Sequence, residues 1–267
     1  IPIANQTPVQ LLFLQPVPDR ADTVPKGHTS ARLNTNITNT LVSQSSAHYS
    51  ATIDTEMIRT SLEMSHGLLP GLEIGLSFPM IHYYGGVLDK PIREVERLFG
   101  KIRAVRREED PGHVTCFVKI GKDVLISNPG NSTGIGDLVL RAKARVWDEG
   151  NGSPRLSVRL AVKLPTGDED RAFGSGEVDW GAGLLLQKDW GKTSLYLNGD
   201  VVFPGEAFDH AGVSLREFYS AMVGVEYGFT PRFSVLTQLN WLTKPFEGTG
   251  LELLDRRIWE LLIGMHY

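Results

Sequence analysis

The feature that most constrains this chain is an alternation of period two that recurs from Ala31 to Tyr267 and keeps charge on one side. In LEIGLSFPM, residues Leu72, Ile74, Leu76, Phe78 and Met80 share a face, and Glu73, Gly75 and Ser77 share the other. In DLVLRAKARV, Leu138, Leu140, Ala142, Ala144 and Val146 oppose Arg141, Lys143 and Arg145. In RLSVRLAVKL, Leu156, Val158, Leu160, Val162 and Leu164 oppose Ser157, Arg159 and Lys163. Successive strand side chains point to opposite faces, so this is strand patterning and not helix patterning. A soluble sandwich alternates too. The discriminating detail is length: the apolar faces stay uncharged over about 7–9 positions, close to the ~9–11 residues a strand needs to cross a bilayer.

The connections are of two kinds. Short ones are expected at 68–71, Gly121-Lys122, 148–154, 189–192 and 229–232; long ones at 84–112, 165–177, 204–213 and 243–254. Short turns at one end and long loops at the other are the habit of outer-membrane barrels. The pattern therefore predicts an all-β fold: a closed, antiparallel, up-and-down transmembrane β-barrel of about twelve strands over 27–267. An irregular, proline-rich periplasmic arm, 1–26, precedes it. Twelve strands return the C-terminus to the short-turn side. The last segment, with Trp259, Leu261, Ile263, Met265 and Tyr267 on one face, then reads as the barrel-closing strand with an interface aromatic at its foot. Tyr83, Tyr84, Trp147, Trp180, Phe203, Tyr227, Phe229 and Trp241 read as members of aromatic girdles.

Composition narrows the function. A net charge of -4 without a basic excess argues against nucleic acid as a partner. One cysteine, Cys116, excludes an intrachain disulfide framework and a CxxC site. The chain starts at Ile1, which reads as a mature protein after removal of an export signal. The expected partners are outer-membrane lipid, the barrel-assembly machinery and a small-molecule solute, in the outer membrane of a Gram-negative bacterium. No cofactor, metal or catalytic residue is expected.

The polar faces predict a charged lumen. Its candidates are Arg59, Glu63, Glu73, Arg141, Lys143, Arg145, Arg159, Lys163, Asp179, Asp200, Glu226 and Glu260. Arg141, Lys143 and Arg145, with Arg159 and Lys163 on the next strand, form a basic wall. Such a wall could guide an anionic solute, or it could be one side of an internal salt-bridge network that conducts nothing. Within the 84–112 loop, Pro91 suits a first helical turn, and Ile92, Val95, Leu98 and Phe99 recur on one side. That short helix either packs on the rim or folds into the mouth. The acidic 165–179 stretch lacks the ligand order of an EF-hand loop and reads as a solvated loop. His48, His82 and His113 read as rim histidines. A lipid hydrolase would need a His and a Ser within hydrogen-bond reach on the lipid-facing rim, and no GxSxG elbow is present.

Four stretches carry a family resemblance: Asn5-Gln6-Thr7-Pro8, GLEIGLSFPMIHYYGGVLDKPI (71–92), STGIGDLVLRAKARV (132–146) and RLAVKLPTGDEDRAFGSGEVDWGAGLLLQKDWG (159–191). In this order they resemble the bacterial outer-membrane barrels grouped as domain of unknown function 3187. The last stretch is similar to segments of outer-membrane channels for small hydrophobic or aromatic compounds. The mixed-charge KPIREVERLFGKIRAVRREED departs from the acidic helix usual after the LDG-like motif. The resemblance implies a barrel fold and an outer-membrane location, and supplies no activity. With loops 84–112 and 165–177 shaping the mouth and the basic wall biasing what enters, the first functional expectation is a passive channel or substrate-specific pore for small molecules and not an enzyme. A non-conducting structural or partner-binding barrel and an outer-membrane lipid hydrolase are the alternatives.

Overall fold

A computed structural model of the chain describes residue 3 and residues 5–86, 88–98, 114–128, 130–150 and 152–267. The described residues form one antiparallel sheet of thirteen strands with few, short helices. The strands are β1 (Thr29–Ser45), β2 (Tyr49–Leu69), β3 (Leu72–Tyr84), β4 (Thr115–Ile120), β5 (Asp123–Asn128), β6 (Ser132–Ile135), β7 (Leu138–Trp147), β8 (Arg155–Leu164), β9 (Asp179–Trp190), β10 (Thr193–Phe203), β11 (Phe218–Thr230), β12 (Phe233–Leu242) and β13 (Ile258–His266). From β7 to β13 each strand pairs with its successor, the up-and-down order that the hairpin signals predict.

The polarity of this sheet is the reverse of a soluble protein's. The apolar faces read from the sequence point outward: Leu160 is 61% exposed, Leu140 46% and Phe78 38%. Their polar neighbours are buried, including Lys163, Asp179, Ser157 and Lys143. Aromatics of the outer face fall in two rows. Trp180 sits opposite Phe203, and Trp241 opposite Trp259, at the long-loop end. Trp190 and Tyr227 both lie opposite Thr193 at the short-turn end. The run from Trp180 to Trp190 rises ~33 Å along the strand, or ~25 Å at a tilt of ~40°, matching the height of an outer-membrane apolar band. Tyr83 does not belong to the girdle. It is buried on the inner face and donates its hydroxyl to Ala172 O at 3.2 Å, because the alternation of β3 places odd positions inward.

Strand pairing revises the connections. Gly121-Lys122 is a tight turn but stands at the long-loop end. β4 pairs with Tyr49–Asp54 of β2, and Gly121 N donates to His48 O at the tip of the β1–β2 hairpin. β4 and β5 thus extend that hairpin beyond the wall. β6 and β7 share one row against β3, so the wall has ten rows, an even number that brings Thr29 and His266 to the same end. Each edge strand, β1 and β13, is paired on one side, to β2 and β12 respectively.

The N-terminal segment, expected as an irregular arm on the short-turn side, lies inside the curve of the sheet. α1 (Pro8–Leu11) and the residues after it put Val9, Leu12, Phe13 and Leu14 into an apolar core beneath the long loops. Phe13 meets the rings of Phe208, Phe218 and Phe246 edge-on at 6.4, 6.4 and 5.8 Å. The segment then descends past the charged inner face and leaves at the short-turn end, where Lys26 bridges Gly67.

Placing a cation on the outer face tests the inverted polarity. Leu160→Arg should cost ~2–4 kcal/mol of stability in lipid bilayers if that position sits near mid-membrane. Denaturant titration of the folded, inserted protein measures it, and an unchanged midpoint would put the outer face in water.

Candidate functional site

The interior is the candidate site, and it is built from ion pairs between strands and the threaded segment. At the long-loop end, Lys163 Nζ lies 2.7 Å from Asp137 and 3.5 Å from Asp179 and donates to Glu177 O at 2.9 Å. Asp137 also accepts from the backbone of Gly167 and Ser175, which docks the 165–177 loop onto the wall. Asp179 accepts from Leu14 N at 2.7 Å and Gly205 N at 2.9 Å. One carboxylate thus ties the N-terminal segment to a second long loop.

At mid-height Arg159 makes a two-pronged pair with Asp200, both contacts at 2.7 Å, and donates to Val17 O. The two residues stand on β8 and β10 with Gly183 of β9 between them. A Cβ at Gly183 would sit 1.8 Å from Asp200 Oδ1, so the missing side chain is what lets the pair span a strand. Nearer the short turns, Lys143 Nζ contacts Asp19 at 2.8 Å and Glu73 at 3.2 Å. Glu73 accepts from Val24 N at 2.6 Å, and Ser157 donates to Ala21 O. Glu226 takes Arg20 at 3.0 Å, the Tyr196 hydroxyl at 2.8 Å and Ser234 Oγ at 2.6 Å. Glu260 accepts from Asn5 Nδ2 at 2.6 Å.

The predicted lumen residues therefore do share the inner face, but the basic wall is largely neutralised. Lys143, Arg159 and Lys163 are held by buried or half-buried carboxylates, and Arg145 pairs with Asp148 at 3.0 Å on the short-turn rim. Among the described residues Arg141 alone of the five keeps only a long contact, 3.9 Å to Glu63. Sequence reasoning missed the inner partner: Asp19, Arg20 and the backbone of Leu14–Val24. The available signal was PVPDRADTVP itself. Proline-rich extended backbone has no hydrogen bonds of its own, so its donors and acceptors must be met by something else.

The predicted loop helix forms as α2 (Asp89–Leu98), its start anchored by Leu88 N donating to Glu56 Oε1 at 2.6 Å. Ile92 is half-buried, but Val95 and Leu98 are exposed, and Phe99 and His113 lie outside the described residues. A third helix, α3 (Glu252–Asp255), caps the far loop, where Lys244 donates to Leu253 O. Burial brings the Lys244 ammonium down to about 8, with Asp255 pulling the other way. Among the described residues no three metal-ligating side chains converge. On the outer face near the long-loop rim, His82 Nδ1 lies 2.7 Å from Thr133 Oγ1 and its ring stacks on Tyr84.

A family model described as protein of unknown function (DUF3187) matches residues 1–267. The chain belongs to this family. Two solved structures share the fold. An outer-membrane channel from Pseudomonas putida F1 aligns over 84% of this chain and 75% of its own, at 18% identity and a TM-score of 0.53. LpxR from Salmonella typhimurium aligns over 91% and 90%, at 11% identity and a TM-score of 0.51. No curated protein matches the chain. At these identities the likeness is one of fold, and it agrees with the family resemblance of the four sequence stretches.

If the interior pairs are structural, removing one member should cost more than removing both. Arg159→Met, which strands Asp200, should destabilise by about 3–5 kcal/mol, and adding Asp200→Leu should recover much of that. Unfolding midpoints of the two variants in the same detergent decide it. Equal losses would show that the pair is not coupled.

Proposed function

We propose that this protein is a closed outer-membrane β-barrel of a Gram-negative bacterium that passes small molecules past an internal N-terminal plug. The observation that carries the reading is a polar interior that is incompletely filled. Cavities of about 420 and 460 Å³ lie beside the descending segment in the short-turn half. Higher up, the spaces between segment and wall shrink to about 60 and 30 Å³, before a cavity of about 350 Å³ among β5 and the long loops. The segment is thus the constriction, and the ion pairs of Asp19 and Arg20 set how firmly it is held. Closure brings β1 against β13, since an unpaired strand edge in lipid costs several kcal/mol per backbone group. Outer-membrane lipid covers the apolar face, and the fold shared with an outer-membrane channel supports the transport reading.

The test is single-channel recording of the refolded full chain in planar bilayers. Small, discrete steps are expected, becoming larger or more frequent in Asp19→Asn/Arg20→Gln, where the plug loses two ion pairs and keeps that of Asp22 with Arg155. An inserted protein that stays silent in both forms would overturn the channel and leave a non-conducting barrel with a locked charged core.

A second reading rests on one contact. His82 and Thr133 present a base and a hydroxyl within hydrogen-bond reach at the outward rim, the pairing that activates a nucleophile. Among the described residues no carboxylate hydrogen-bonds to His82, so the pair lacks the group that would orient the base. Fatty-acid release from outer-membrane vesicles that disappears in Thr133→Ala would establish a lipid hydrolase. The channel reading expects no release from either form.

A further inference from the structure

The pairing of the interior leaves one place where cations outnumber carboxylates. Glu63, on β2, is 3.7 Å from Arg32 of β1 and 3.9 Å from Arg141 of β7. Arg59, four residues along β2 and on the same inner face, lines one narrow space with Glu63 and Arg141. One carboxylate therefore serves three guanidinium groups drawn from three strands.

The contacts are long as well as few. Charge-assisted hydrogen bonds of arginine close to ~2.7–2.9 Å, as Arg159 and Asp200 do here. Neither contact of Glu63 reaches that distance, and among the described residues Arg32, Arg59 and Arg141 make no hydrogen bond through their side chains. The neighbouring acids are committed elsewhere: Asp19 and Glu73 to Lys143, and Asp22 to Arg155 at 2.7 Å. The register brings Arg32 and Arg141 toward Glu63, and Arg59 stands just above them. Arg32 stands directly opposite Glu63 in the β1–β2 register. Arg141 stands opposite Gly75 of β3, and with no side chain there its guanidinium reaches across the strand toward β2. Glu63 and Arg141 also line both the 420 Å³ cavity and the narrow space above it, so the cluster sits where the wide part of the interior meets the constriction.

We infer that Arg32, Arg59 and Arg141 form a binding site for a small oxyanion, such as the carboxylate of an organic acid, at the entrance to the constriction. Glu63 holds the side chains together and offsets one of their three charges; counted with Lys143, Asp19 and Glu73 alongside, four cations face three carboxylates and one positive charge is left over. The planar guanidinium fork matches a carboxylate or phosphate oxygen pair, and the low-dielectric wall strengthens the attraction. The site deepens the channel reading, on which its transport role rests: it would select anions before the plug. The binding itself does not depend on conduction.

The experiment is calorimetric titration of sodium benzoate, and separately inorganic phosphate, into the refolded full chain in detergent and Tris-chloride. Saturable binding at one site is expected, at least tenfold weaker in Arg32→Gln/Arg141→Gln and tighter in Glu63→Gln, which removes the internal competitor. Benzoate without phosphate would identify an organic acid whose apolar part is also bound; phosphate without benzoate would identify a purely ionic site. Both are oxyanion binding. No saturable binding of either probe, or binding unchanged in the double variant, would overturn the site. Should the double variant not refold, Arg32→Gln alone, at a half-exposed position, should still weaken binding severalfold, and unchanged affinity there counts against the site. Conduction without binding sinks the site alone, whereas binding by a silent barrel sinks the channel reading alone.

Discussion

A charged side chain inside a low-dielectric wall must find a partner or lose its charge, and the sheet described here turns every charged face inward. Lys163 between Asp137 and Asp179, Arg159 on Asp200, and Lys143 between Asp19 and Glu73 are three answers to that one demand. Several of the carboxylates have oxygen positions to spare. Those positions are filled by backbone N–H groups of the loops and of the N-terminal segment, such as Leu14, Val24 and Gly205. Neutralising the wall and seating the segment are therefore the same set of contacts.

That coupling explains the shape of the interior. At the long-loop end the segment offers Val9, Leu12, Phe13 and Leu14, and the loops offer Phe208, Phe246, Leu251 and Leu254, so this end is packed as an ordinary apolar core. Below it the segment turns to prolines, Asp19, Arg20 and Asp22, and contact with the wall becomes polar and looser. Cavities of about 420 and 460 Å³ fall in this lower half, beside the polar part of the segment, and another of about 350 Å³ lies at the long-loop end among β5 and the long loops.

The pairing also shows where charge is left over. Glu63 is the one interior carboxylate shared among three arginines at distances too long for hydrogen bonds. Elsewhere the same sheet builds close pairs, even across an intervening strand where Gly183 makes room. The contrast between the tight Arg159–Asp200 pair and the loose cluster, on one inner face, is what singles the cluster out.

Much of this was legible in the chain itself. Period-two alternation with charge on one side assigns each residue to the outer or inner face, because side-chain direction in a strand is a local property. Leu72–Met80, Leu138–Val146 and Leu156–Leu164 could be placed outward, and Glu73, Lys143 and Arg159 inward, from the sequence alone. The family, the up-and-down order and the short helix after Leu88 were equally readable. What alternation cannot carry is who meets whom. Asp19 lies 124 residues from Lys143, and Leu14 lies 165 from Asp179. The β4–β5 hairpin was read as part of the wall because a tight turn looks the same at either end of a sheet. Only strand register, the path of a segment with no period of its own, and two glycines that let side chains reach over a strand decided that the basic wall is neutralised at Lys143, Arg159 and Lys163. The same three decided that Arg141 shares Glu63 with Arg32 at long range.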